Sequence, residues 1–172
     1  MTMRWWIMLL LSLFTLAAAA EVRDPYVHFF QPKLGDLHGD LETARREGKL
    51  GILLMFEMDD CPFCHRMKAQ VLNRAEVQDY FRRHFLIYNI DTKGDIPITD
   101  FQGNETTEKA FALAQRARAT PVFIFYDLEG KPLTRYTGAT QTAEEFLLLG
   151  RYVVEGAYKT MPFNLYKRQA GR

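Results

Sequence analysis

Cys61-Pro62-Phe63-Cys64 holds the only two cysteines of this 172-residue chain. With both thiols spent in one C-x-x-C, none is left to staple the fold, and the pair is there for chemistry: thiol–disulfide exchange, metal binding or haem attachment. Exchange needs a thiolate, and a free thiol is largely protonated at neutral pH. The motif follows the apolar run Gly51-Ile-Leu-Leu-Met-Phe56 and opens a helix-like stretch. That puts Cys61 at a helix N-terminus, where unpaired N–H groups and the dipole favour negative charge. Cys61 reads as the exposed attacking nucleophile, and Cys64, one turn inward, as the resolving thiol. A purely structural bridge over so short a loop would remove little unfolded-state entropy.

The flanking charges conflict. Asp59 and Asp60 disfavour a thiolate at Cys61, whereas His65, Arg66 and Lys68 favour it. Along a strand, Met55, Glu57 and Asp59 share a face, so Glu57 can present a carboxylate toward the motif; the alternative is a solvated glutamate at the strand end. Two rival chemistries use the same residues. Cys61-x-x-Cys64-His65 matches a c-type haem attachment signature with His65 as axial ligand, although a preceding buried strand has no place in a small helical cytochrome. Met58, Cys61, Cys64 and Met67 offer soft sulfur ligands for Cu(I), although methionines beside a strand and helix usually fill core space. The exchange reading expects no cofactor and no metal.

The elements that must hold the motif follow from periodicity. Residues 24–33 read as an extended edge strand or wrapping arm. Leu37, Leu41 and Ala44 recur at helical spacing over 36–47, with Gly48 as a stop. Residues 51–57 form a short apolar run suited to a buried strand. Pro62 opens a helix to about Asn73, where its missing N–H costs nothing. A second helix over 76–82 leads to a strand over 85–90. Residues 91–104 form a polar loop with room for a small hairpin through Ile96, Ile98 and Phe101, and a helix over 105–118 turns Ala110, Phe111, Leu113 and Ala114 inward. Thr120-Pro121 enters a strand over 122–126, a turn at 127–131 leads to a strand over 133–136, and an amphipathic helix over 142–158 closes the chain. Strands alternating with helices, then a hairpin, predict an α/β layered sheet with antiparallel strands at its end.

The N-terminus carries Arg4, the apolar stretch Trp5–Leu16 and small residues to Ala20. This is the pattern of an export signal, cleaved after Ala18-x-Ala20. A retained anchor is the alternative, but a span needs ~20 apolar residues, and the Ala tract suits cleavage. Residues 1–20 are thus expected to be a signal peptide and 21–172 a single domain. Removing the leader leaves 21 basic and 21 acidic residues, a balance without the basic footprint that nucleic acid requires.

A strand, a C-x-x-C at a helix N-terminus, a later X-Pro entering a strand, a hairpin and a final helix resemble the thioredoxin superfamily over about residues 36–158. Cys61-Pro-Phe-Cys-His65, Thr120-Pro-Val-Phe-Ile-Phe125, Glu129-Gly-Lys131 and Tyr152-Val-Val-Glu-Gly-Ala-Tyr158 are similar to exported SoxW-type thioredoxin-related proteins. The resemblance implies a thioredoxin-like fold with a central mixed sheet flanked by helices, and a redox-active Cys61–Cys64 pair. It also implies a cis Thr120–Pro121 bond lying against the cysteines. Pro62, Phe63, Thr120 and Pro121 then become the substrate-binding residues, with the Thr120 backbone free to pair with a client segment as an added strand. The activity implied is that of a periplasmic thiol–disulfide oxidoreductase acting on client proteins, monomeric and recharged by a membrane electron donor of the DsbD or CcdA kind. Phe63 is uncharged where DsbA-type oxidants carry a histidine. A less stabilised thiolate makes the dithiol the better reductant, so the reading is a reductant, with a DsbA-like oxidant or an isomerase as the alternative. Isomerases of this type usually add a dimerisation module, for which nothing here has room. Met55 departs from the family, which carries a buried aspartate at that position, and Glu57 is the nearest substitute as a catalytic carboxylate.

Overall fold

The computed structural model describes residues 21–171; the expected signal peptide, residues 1–20, and Arg172 lie outside them. Strand β1 (Gly51–Glu57) is buried at every position. It pairs in parallel with β2 (Phe85–Asp91) and antiparallel with β5 (Val122–Tyr126), which pairs antiparallel with β6 (Pro132–Thr137). The sheet order is β2-β1-β5-β6, the mixed sheet expected from the sequence. A strand covered on both faces must be apolar on both, and alternation then divides its side chains between two layers. Leu53 and Met55 face one core with Phe123, Phe125, Phe85 and Ile87; Ile52, Leu54 and Phe56 face the other with Val122, Ile124, Leu86 and Ile90.

Helices cover both layers. The first core is roofed by α3 (Pro62–Gln70), α4 (Ala75–His84) and α6 (Ala143–Val154), and the second by α2 (Leu37–Arg46) and α5 (Glu108–Ala114). In the first core Phe146 is fully buried and stacks on Phe81 with ring centroids 4.5 Å apart, beside Phe123 at 4.9 Å. Gly150 lets α6 close on α4, since a Cβ there would lie 2.7 Å from the Tyr80 ring and 2.8 Å from the Phe81 ring.

The structure corrects four element assignments. The N-terminal arm is not extended: Pro25–His28 form a helical turn (α1), capped by the Asp24 carboxylate, which accepts the Tyr26 N–H. A turn places Phe29 and Phe30 inward together, both buried, where a strand would have alternated them. Helix α3 ends at Gln70 and not near Asn73. Residues 105–107 are not helical: Glu105–Thr107 (β4) pair with Pro97–Thr99 (β3) in a two-stranded ribbon. Thr107 then caps α5, its hydroxyl accepting the Ala110 N–H at 3.2 Å. The shortened helix buries Glu108, Phe111 and Ala112 and leaves Ala110, Leu113 and Ala114 exposed. Finally, α6 stops at Val154, and after a 3-10 turn (Ala157–Lys159) a further helix, α7 (Phe163–Ala170), lies against α6. Lys167 of α7 donates to Glu145 of α6 at 2.7 Å. Among the described residues no helix is long and apolar enough to cross a membrane.

Phe146 ties α6 to β5 through Phe123, to α4 through Phe81 and to the N-terminal segment through Phe29. Phe146→Ala should therefore lower the unfolding free energy by about 4 kcal/mol, measured by urea denaturation. A loss below about 1 kcal/mol would mean that the cluster closes over the gap.

Candidate functional site

Residues 58–60 carry the chain directly from β1 into α3, and Cys61 is the helix N-cap. Cys61 and Cys64 are disulfide-bonded, with Cα atoms 5.2 Å apart. The Cys64 N–H points at the Cys61 sulfur from 3.1 Å and also at the Cys61 carbonyl from 3.0 Å. The sulfur therefore occupies the place where a capping oxygen usually sits, at the positive end of the helix. Pro62 at the first helical position needs no partner for a missing N–H. Cys61 is not the openly exposed thiol expected from the sequence: it retains 3% of its surface, against none for Cys64. The order of access survives at the level of the residue, because Cys61 alone of the two keeps any surface. Pro62 and Phe63 are exposed beside it, Phe63 by 58%.

Thr120–Pro121 is cis, as the family resemblance implied. The last β1–β5 pair is Phe56 with Val122. One step beyond it lie Glu57 and Pro121, and two steps beyond lie Met58 and Thr120, so the X-Pro bond sits at the same sheet end as the disulfide. The Pro121 carbonyl accepts the Gly138 N–H at 2.8 Å.

Glu57 is not a solvated strand-end residue; only 6% of it is exposed. Its odd position in β1 points it toward α3 on the Met55 side, where Lys68 donates to its Oε2 at 2.7 Å. From β2, Asn89 Nδ2 donates to its Oε1 at 3.0 Å. Lys68 also donates to the Tyr26 hydroxyl at 2.5 Å and lies 4.9 Å from the centre of that ring. Burial alone would depress the Lys68 ammonium, but its bonds to Glu57 and Tyr26 outweigh that and hold its pKa above the ordinary lysine value. Met55, where the family carries its buried aspartate, is fully buried in the same cluster as both cysteines.

The other charges beside the motif are also engaged. Asp60 is held below the usual carboxylate range, chiefly by its hydrogen bond with Lys93 at 3.1 Å and then by its own backbone N–H. His65 Nε2 donates to the Asp59 carbonyl at 2.6 Å, and the Arg66 guanidinium lies 5.5 Å from the centre of the Phe63 ring. The expected trio of cations facing the thiolate is thus dispersed among three other partners. Sequence reasoning missed Lys68, Asn89 and Tyr26 as companions of Glu57. One signal for Lys68 was available: positions 61, 64 and 68 fall on one helical face. The Tyr26 contact depends on how the N-terminal turn docks, which periodicity does not encode. Met67, one of the proposed copper ligands, is fully buried core, with the Thr140 hydroxyl 3.6 Å from its sulfur.

A mixed sheet whose central strand hands over directly to a disulfide-capped helix, with a cis X–Pro bond at the same end, is the thioredoxin-type fold. A family model of the thioredoxin-like domain matches residues 37–154, and the chain belongs to that family. This α/β fold is not the small helical cytochrome that haem attachment would need. No curated protein matches the chain significantly. Similar solved structures include a thioredoxin-fold protein from Helicobacter pylori (22% identity, 69% of this chain and 82% of that one, TM-score 0.56). The DsbH oxidoreductase is 20% identical over 78% and 90% of the two chains, with a TM-score of 0.53. A thioredoxin from Thermus thermophilus is 23% identical over 70% and 86%, with a TM-score of 0.54. A thioredoxin-like fold bearing a C-x-x-C disulfide supports thiol–disulfide oxidoreductase chemistry in general.

The Glu57–Lys68 pair is nearly dry, its side chains 8% and 13% exposed. Removing one partner strands the other. Lys68→Met should cost about 3 kcal/mol at neutral pH, and Glu57→Leu combined with Lys68→Met should recover most of it. Because the folded Lys68 pKa is raised, its share of stability is complete below the unfolded lysine value. That share is lost only as pH climbs through the higher folded value. The stability gap between wild type and Lys68→Met, followed by urea denaturation, should stay flat through neutral pH and narrow only in strongly alkaline solution. A gap that closes near neutrality would contradict the assignment.

Proposed function

We propose that the protein is an exported thiol–disulfide reductase of the SoxW type, working in the periplasm as a single, monomeric domain of residues 21–172. The observation that carries the exchange chemistry is the Cys61 sulfur at the N-cap of α3, receiving a backbone N–H, on the one residue of the pair that keeps any surface. In the reduced protein those same donors favour the Cys61 thiolate. That thiolate attacks a client disulfide, forming a Cys61–client bond and expelling the client's other sulfur as a thiolate. Cys64, deprotonated, then attacks the Cys61 sulfur. The Cys61–Cys64 bond forms, the client's second thiolate leaves, and the client departs with two thiols while the protein holds the disulfide. Two electrons have passed to the client.

Resolution needs a proton acceptor for Cys64, and we assign that role to Glu57. It lies on the same layer as the cysteines, and Lys68 and Asn89 orient its carboxylate. Pro62 and Phe63 form the exposed lip on one side of the disulfide, and Thr120-Pro121 the strand edge on the other. The name of the DsbH oxidoreductase, a structural relative, agrees with redox work in general. The reducing direction rests on the uncharged Phe63 and on the acidic Asp59 and Asp60 ahead of the motif. A reductant outside the cytoplasm needs electrons delivered across the membrane, hence a donor of the DsbD or CcdA kind.

Cys64→Ser should trap clients as mixed disulfides through Cys61, and Cys61→Ser should trap none. Equilibrium titration of the pair should give a potential near thioredoxin's, about −270 mV, whereas a value near −120 mV would make the protein an oxidant. In single-turnover release, Glu57→Gln should slow resolution at least about tenfold at neutral pH; an unchanged rate would remove Glu57 from the reaction.

A further inference from the structure

At the sheet end where β1 leaves for the C-x-x-C and β5 begins lies an open groove of about 300 Å³. Met58, Ala112 and Leu113 line its apolar part, and Lys93, Lys109 and Arg118 its charged part; no carboxylate lines it. Three of its residues tie the groove to the site. Met58 also packs against the core cluster that holds both cysteines, and Arg118 stands two residues ahead of Thr120. Lys93 is shared with Asp60, the residue before Cys61. Lys109 and Arg118 have no ion-pair partner among the described residues. Leu113 stands 62% exposed in the last turn of α5, whose inward face is already filled by Glu108, Phe111 and Ala112. An exposed leucine between two unpaired cations gains little from water and is available to a partner that is apolar and acidic at once. A larger cavity, about 440 Å³ between Leu50, Phe85 and Val153, is at the opposite end of the sheet, about 20 Å of strand away, and has no such relation to the sulfurs.

We infer that this groove selects clients: it takes an extended polypeptide segment next to the client's reactive cysteine, with an apolar side chain on Met58 and Leu113 and an Asp or Glu carboxylate between Lys109 and Arg118. The inference rests on the disulfide-exchange reading and adds its substrate class. Asp59 and Asp60 fix the polarity of the fit. They repel an acid placed directly over the disulfide, so the client carboxylate belongs at the α5 end, beyond the apolar contact. Backbone pairing at Thr120 holds the segment without regard to its side chains, and the groove adds a preference for charge. Exposed pairs of this kind are individually weak and salt-sensitive, so the effect is a bias among clients and not an absolute filter.

The test uses two synthetic peptides with the same internal disulfide, differing only in Glu or Lys at the position flanking an apolar residue beside the cysteine. Wild-type protein, reduced beforehand and mixed in excess, should reduce the Glu peptide in a single turnover with a second-order rate constant roughly fivefold higher than for the Lys peptide at low salt, and high salt should shrink the ratio toward one. The double variant Lys109→Glu, Arg118→Glu should invert the ratio, which as a ratio is insensitive to how much variant is correctly folded. Equal turnover of the two peptides by wild type, or a Glu preference that survives in the double variant, would overturn the inference while leaving disulfide exchange standing. Failure of wild type to reduce even the small neutral hydroxyethyl disulfide would instead remove the exchange reading, and this inference with it.

Discussion

Strand β1 is covered by helices on both faces, and this constraint organises everything around the cysteines. A strand with no solvent face has only alternation to decide where each side chain goes. The even positions Ile52, Leu54 and Phe56 commit to one core, and Leu53, Met55 and Glu57 to the other. The layer that receives Glu57 is roofed by α3, and only four residues separate the end of the strand from the start of α3. The sulfurs, the carboxylate and the lysine that meets it are therefore gathered by a strand end and one short helix. A one-residue slip in β1 would send Glu57 to the layer of Phe56 and Phe111 and separate it from Lys68.

The buried pair at that junction balances two opposing effects. Removing a carboxylate and an ammonium from water is expensive, and their mutual attraction offsets the loss only when their remaining hydrogen-bonding capacity is also met. Here Asn89 takes the second Glu57 oxygen and Tyr26 the second Lys68 contact. Tyr26 reaches α3 because the Asp24-Pro25 turn anchors the N-terminal segment, with Phe29 and Phe30 sunk into the same core as the cysteines. A segment distant in sequence thus helps complete the electrostatics of the candidate site. Beside it, the outer face of α5 and the loop after β2 contribute cations and an exposed leucine to a groove that shares Met58 with the core. The redox pair and the client-facing surface are joined through that one side chain.

Much of the architecture could be read from the chain because its signals are local and mutually consistent. The bounds of β1 and β5, the proline-opened helix after Cys61 and the capped start of α6 at Thr142 each follow from periodicity or a capping residue. The misreadings share a physical cause. In residues 24–33, Tyr26, His28 and Phe30 alternate with Val27 and Phe29 in a pattern that imitates a strand, whereas Asp24-Pro25 is a helix start that the extended reading did not use. In residues 105–107, the reading as helix concealed two threonines that pair with Pro97 and Ile98, one of which, Thr107, caps the helix behind them. In α7, a short and mostly polar helix is stabilised by packing of Tyr152 against Phe163 and Tyr166, contacts that no local pattern encodes.

By itself the chain determined the chemistry on offer and its immediate setting: two cysteines one helical turn apart, a buried strand before them, and a proline entering a later strand. These are decided within a few residues by backbone geometry and hydrophobic period, so sequence sufficed. Tertiary structure decided the electrostatics. Whether Glu57 faces water or Lys68, whether Asp60 stands alone or with Lys93, and which cations remain without a partner around Leu113 all depend on side chains from separate elements converging. Charge interactions act through space and vary steeply with burial, and neither distance nor burial is written in the order of the residues.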